Sequence, residues 1–135
     1  MNNQDYQNGP SDDEWDVSGV EDELLIPEGT YRAIIDGEPR PAKRKKRELQ
    51  KIFTFVVEVD GRDLKHDEFI CIKDPDSPRR NFLWKMLIPA LGWGKASELT
   101  SVTGADFDQK EVEITIRHRE WQGQTQAQIC KFAPA

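Results

Sequence analysis

Residues 51–72 read KIFTFVVEVDGRDLKHDEFICI, and their period-two alternation admits little besides a β-hairpin. Phe53, Phe55, Val57 and Val59 fall on one face of an extended chain, with Thr54, Val56 and Glu58 on the other. The alternation breaks at Asp60-Gly61, a dipeptide suited to a tight turn because glycine accepts the positive φ that such a turn requires. Two strands, residues 49–59 and 63–73, are therefore expected to pair around this turn.

The rest of the chain supplies three more strands and a helix. Residues 30–36 alternate Tyr31, Ala33 and Ile35 against Arg32, Ile34 and Asp36, and Pro39 and Pro41 end that strand by removing ladder donors. Ser77 and Pro78 read as the cap and first position of a helix. Phe82, Leu83, Met86, Leu87 and Leu91 then recur at helical spacing, with Pro89 expected to kink the pattern. Residues 95–110 read as loop, with a short helical turn near 96–100. Strands follow at 111–119, with Val112, Ile114 and Ile116 inward, and at 125–132, joined by Trp121-Gln122-Gly123. The order β-β-β-α-β-β is that of the OB-fold, a five-stranded barrel with a helix between strands 3 and 4. The expected fold is thus mainly β: an OB-fold-like barrel over residues 25–135 behind a disordered acidic tail, residues 1–24.

Charge is divided along the chain. The formal net charge is -6, but residues 1–29 hold nine acids and no Lys or Arg; removing that -9 leaves +3 on the remainder. Residues 1–24 contain too few apolar side chains to offset the entropy of ordering, with Trp15 and Val20 as the exceptions. Cys71 and Cys130 are far apart, form no CxxC, and read as two buried free thiols in a reducing compartment. No apolar run approaches the ~18 residues of a membrane span. The N-terminus is polar and acidic, unlike a signal peptide. A soluble, cytoplasmic protein is the expectation.

Lys43, Arg44, Lys45, Lys46 and Arg47 are consecutive cations entering the central hairpin. Such a run repels itself, and phosphate contact relieves the repulsion while releasing counterions. Lys51, Arg62 and Lys65 are secondary candidates for the same contact, and Arg117 and Arg119 project from the outward face of the fourth strand. Tyr31, Phe69, Trp93 and Trp121 are candidate stacking platforms for bases, with Trp121 favoured by its place between Arg119 and the Gly123 turn. Catalytic readings fare poorly. Gly92-Trp93-Gly94-Lys95 lacks the rest of a phosphate loop, and His118-Arg119-Glu120 has no following Cys pair. His66 and His118 stand without a metal-ligand cluster. No enzyme activity, metal or cofactor is expected.

Ile26-Pro27-Glu28-Gly29-Thr30-Tyr31, Phe55-Val56-Val57-Glu58-Val59 with Asp60-Gly61-Arg62, the helix ending Ala90-Leu91-Gly92, and the strands 112–119 and 121–134 resemble a family of small phage-encoded OB-fold proteins. These bind single-stranded DNA and accompany recombination or replication genes. The resemblance implies an OB-fold and sequence-nonspecific binding of single-stranded DNA in phage replication or recombination. The acidic tail, N-terminal here, has three readings from its own residues: an inert solubiliser, a competitor of DNA for the cationic groove, or a recruiter of a replication or recombination protein through Trp15, with competition or recruitment expected. The alternative is a protein-interaction module, or an inhibitor whose acidic tail mimics DNA and targets a nucleic-acid enzyme.

Overall fold

The computed structural model describes residues 25–42, 49–77 and 79–135; residues 1–24, 43–48 and Pro78 lie outside the described residues. Its elements are β1 (Gly29–Ile35), β2 (Arg40–Pro41), β3 (Leu49–Val59), β4 (Arg62–Lys73), α1 (Phe82–Ala90), β5 (Glu111–Trp121) and β6 (Gln124–Pro134). Two short 3₁₀ helices, Ala96–Glu98 and Gly104–Phe107, lie between α1 and β5. The central hairpin forms as its alternation dictates. β3 and β4 pair from Val59↔Arg62 to Leu49↔Lys73, around Asp60 (φ 51°) and Gly61 (φ 76°). Positive φ at both turn residues matches the twist of the flanking strands. Phe53, Phe55 and Val57 are no more than 1% exposed.

β3 is the shared strand. β4 lines one of its edges; on the other, β2 pairs with residues 51–52 and β1 with residues 55–57. β1 then pairs with β5, and β5 with β6, all antiparallel. The core lies on one face of this sheet. Ile35, Ile70, Ile114 and Ile129 pack there against Leu83, Trp84, Leu87 and Ile88 of α1. Phe107, from the second 3₁₀ helix, is the aromatic hub: its ring centroid lies 5.1 Å from Phe53, 5.9 Å from Trp84 and 5.0 Å from Trp93. Trp84 is therefore a core residue, 6% exposed.

The expected five-stranded barrel is corrected to a mixed domain of six strands and one helix in an open sheet. Its order is β2-β3-β1-β5-β6, with β4 on the other side of β3, and no ladder joins β4 to β6. At that seam a side chain substitutes for backbone pairing. The Glu68 carboxylate in β4 accepts the Ile129 N–H of β6 at 2.9 Å and lies 2.8 Å from His66 Nε2. Element order led to the barrel because hairpins enforce pairing between successive strands. Nothing of that kind enforces pairing between β4 and β6. With the barrel goes the resemblance to phage OB-fold single-stranded-DNA-binding proteins, and no inference about DNA or phage origin rests on the fold.

Smaller expectations change as well. Ser77 does not cap the helix. Its N–H, with that of Asp76, is bonded to the buried Asp74 carboxylate, which also pairs with Arg80 at 3.1 Å, and α1 starts only after Asn81. Pro89 does not break α1, since it falls in the last turn, one residue before the end. The two-residue β2, which follows Pro39 and includes Pro41, was unforeseen. Cys71 is buried, but Cys130 is exposed, because the ladder slips between Thr115 and Ile116 and leaves Cys130 as the extra residue.

Candidate functional site

At the end of β3 remote from the Asp60-Gly61 turn, residues 95–104 lie across the sheet and leave two adjoining grooves of about 620 and 630 Å³. Both share Ile72, Trp84 and Leu99 as an apolar floor. Lys51, Lys73, Lys85 and Lys95 line them, from β3, β4, α1 and the segment after α1. Glu38 is the single acid among the described lining residues. Local structure explains how each lysine arrives. Lys51 shares the core face with Phe53, but it lies where β3 runs past the core, so its ammonium reaches the groove. Lys73 closes β4 opposite Leu49. Lys85 is the exposed polar position of an otherwise apolar helix, FLWKMLIPA. Gly92, with φ 80°, ends the helix, and Lys95 follows Gly94, a second glycine of positive φ (84°), in the segment that leaves it. None of the four pairs with an acid among the described residues.

Three other cations on the sheet are paired with acids. Arg40 lies 2.8 Å from Asp67, Lys65 3.0 Å from Asp36, and Arg32 3.2 Å from Glu111. Asp67 also accepts the Thr54 hydroxyl at 2.6 Å. That hydrogen bond, followed by the Arg40 guanidinium, holds its carboxyl below the usual carboxylate range. Burial pushes the Cys71 thiol up, with Asp74 adding to the shift. Among the described residues no group of His, Cys, Asp and Glu is arranged to hold a metal ion. Nor is any described helix long and apolar enough to cross a membrane.

The residues expected to form one surface fall into separate groups. Lys43, Arg44, Lys45, Lys46 and Arg47 lie outside the described residues. The described residues on either side of them are joined: the Ala42 N–H donates to the Gln50 carbonyl at 3.3 Å, beside Lys51 and the mouth of the groove. Phe69, 55% exposed, is directly opposite Ile52 at this same end, though on the other face of the sheet from Lys51. Arg117, Arg119 and Trp121 lie at the opposite end, with Arg62 at the β3–β4 turn. From Ile52 to Trp121 the path runs five steps along β3 to the Val57–Ala33–Val112 row, then nine along β5. That is on the order of 40 Å of strand. Lys65 lies between the ends, held by Asp36. Tyr31 and Trp93 are packing residues: Tyr31 donates its hydroxyl to the Pro27 carbonyl at 2.7 Å, and Trp93 packs on Phe107. Trp121 is 51% exposed, with the Arg119 guanidinium 5.5 Å from its ring centroid.

Lys73, Lys85 and Lys95 went unread in the sequence because each is an isolated cation on a different element. The exposed lysine in the apolar run of α1 was the one available signal. Compared with known proteins, the chain matches no family model and no curated protein.

Proposed function

We propose that this chain is a cytoplasmic, non-enzymatic protein that binds single-stranded DNA with little sequence preference, shielding or presenting exposed strands. The observation that carries the reading is the rim of four lysines, without acid partners among the described residues, over an apolar floor. Cations left unpaired around an apolar groove suit a polymer that offers phosphates at its edge and flat base faces within. The five consecutive cations at positions 43–47, tethered beside Lys51, extend the same positive field. A folded duplex keeps its bases stacked inside and has no use for the apolar floor, so the single strand is the better fit.

The test is a fluorescence-anisotropy titration of labelled oligo-dT, beside duplex DNA of equal length and oligo-rU, at two salt concentrations. Single-stranded DNA is expected to bind at micromolar concentration or tighter and the duplex more weakly. With about four phosphate contacts, log K should fall against log[salt] with a slope near about -3. Absence of binding to oligo-dT at low salt overturns the reading, and a clear preference for oligo-rU reassigns the polymer to RNA.

A further inference from the structure

Arg117 and Arg119 differ from Arg32 and Arg40 of the same sheet in having no acid partner among the described residues. With Trp121 they form a strip along the end of β5: both arginines and the tryptophan are exposed, and Arg119 lies over the indole. Arginine and tryptophan together are the side chains most enriched where protein surfaces bind partners. A guanidinium recognises a carboxylate through paired, charge-assisted hydrogen bonds.

The described chain begins beside this strip. His118 lies between the two arginines in sequence, and it clamps the incoming segment at two points. Its backbone N–H donates to Glu28 Oε2 at 2.8 Å, and its Nε2–H donates to the Ile26 carbonyl at 2.7 Å. Leu25 is therefore held within a few residues of Arg117 and Arg119, entering from the face of β5 that His118 occupies, opposite the one that bears the two arginines. One residue further back, beyond Leu24, comes DDEWDVSGVEDE, residues 12–23, with seven acids, one tryptophan and no Lys or Arg. An extended chain spans about 3.3 Å per residue, so even the nearest acids, Glu21 to Glu23, reach the arginines. A tethered segment is present at roughly millimolar effective concentration, highest for the shortest span. The lysine groove is the rival cationic surface, but it lies at the far end of the sheet.

We propose that residues 12–23 dock in cis on the Arg117–Arg119–Trp121 strip, giving the acidic segment a seat away from the lysine groove. Its carboxylates meet the two guanidinium groups, and Trp15 and Trp121 supply the apolar part of the contact. The consequence is that groove and acidic segment need not compete.

Paramagnetic relaxation on the full chain tests this. A spin label is placed by Ser18→Cys in a Cys130→Ser background, where buried Cys71 is shielded from the reagent. Backbone amides of residues 117–124 should lose more than half their intensity, and those of Lys51, Lys73 and Lys95 should not. Adding Arg117→Gln with Arg119→Gln, or separately Trp121→Ala, should restore the lost signals while leaving the rest of the amide spectrum in place. Raising the salt should do likewise. Intensity loss at the groove lysines, or none anywhere, overturns the proposal. So does equal loss when the labelled chain is mixed with an unlabelled isotopic copy, which assigns the seat to a second molecule.

Discussion

Asp67 sits on the exposed face of β4, where its two oxygens are taken by Thr54 at 2.6 Å and Arg40 at 2.8 Å. These contacts favour the charged carboxylate, so its folded pKa lies below the unfolded one. The linkage sign follows. Above the unfolded value the carboxylate is ionised in both states, and its contribution to stability is fully present. The contribution is lost as pH falls through the folded value. Because the pair is half exposed, its size is that of a surface interaction, below about 1 kcal/mol. Asp67→Asn should therefore cost that much at neutral pH, with the gap to wild type closing as urea unfolding is repeated down to about pH 3. A gap that stays constant through the acid range would mean that charge is not what the site contributes. The sequence displayed Thr54 and Asp67 as outward residues of paired strands. It gave no hint of Arg40 as their partner, because β2 is only two residues long, follows Pro39 and itself ends in Pro41.

At the scale of elements, the β4–β6 seam decides what kind of sheet this is. Two long edge strands come together there without a ladder, and an unpaired edge needs protection. Glu68 supplies it with one carboxylate, taking the Ile129 N–H and the His66 ring; both side chains are only 12% exposed. Glu68→Ala would strand these donors in a partly dry site, at a cost of about 1–3 kcal/mol. Glu68→Gln keeps a carbonyl acceptor and should recover most of that loss. Urea midpoints of the two variants make the check; equal and small losses would show that the bridge is incidental. The strands themselves were legible: β3, β5 and their inward residues follow from alternation, and β4 from the Asp-Gly turn. Closure was not. Whether two strands pair across a seam depends on sheet curvature and on which side chains fill the gap, and neither leaves a periodic mark. Cys130 is the same lesson at one position, since a bulge turned outward a thiol that was expected to be buried.

Across the whole molecule, the sheet separates two groups that the sequence suggested were one. Phe69 and the lysines belong to the end of β3 where residues 43–47 depart; Trp121 and the arginines belong to the other. The hairpins were readable, but the relative placement of their ends was not. It depends on how β1 registers against both β3 and β5, with Ala33 opposite Val57 and Val112. The two arrangements predict different outcomes for a short oligo-dT. If Trp121 stacked a base, Trp121→Ala would cost about 1–3 kcal/mol, which is roughly a 5- to 150-fold loss of affinity. With the strand confined to the groove on the order of 40 Å of strand away, the change should be under about twofold. Lys73→Gln and Lys85→Gln should each weaken binding and each reduce the salt slope by about 0.7, the share of one phosphate contact on a single strand. The same anisotropy titration reads all three variants. A large loss at Trp121 with unchanged slopes at Lys73 and Lys85 would move the binding surface to the β5–β6 hairpin. The acidic segment, tethered beside that hairpin, would then become a competitor of the strand.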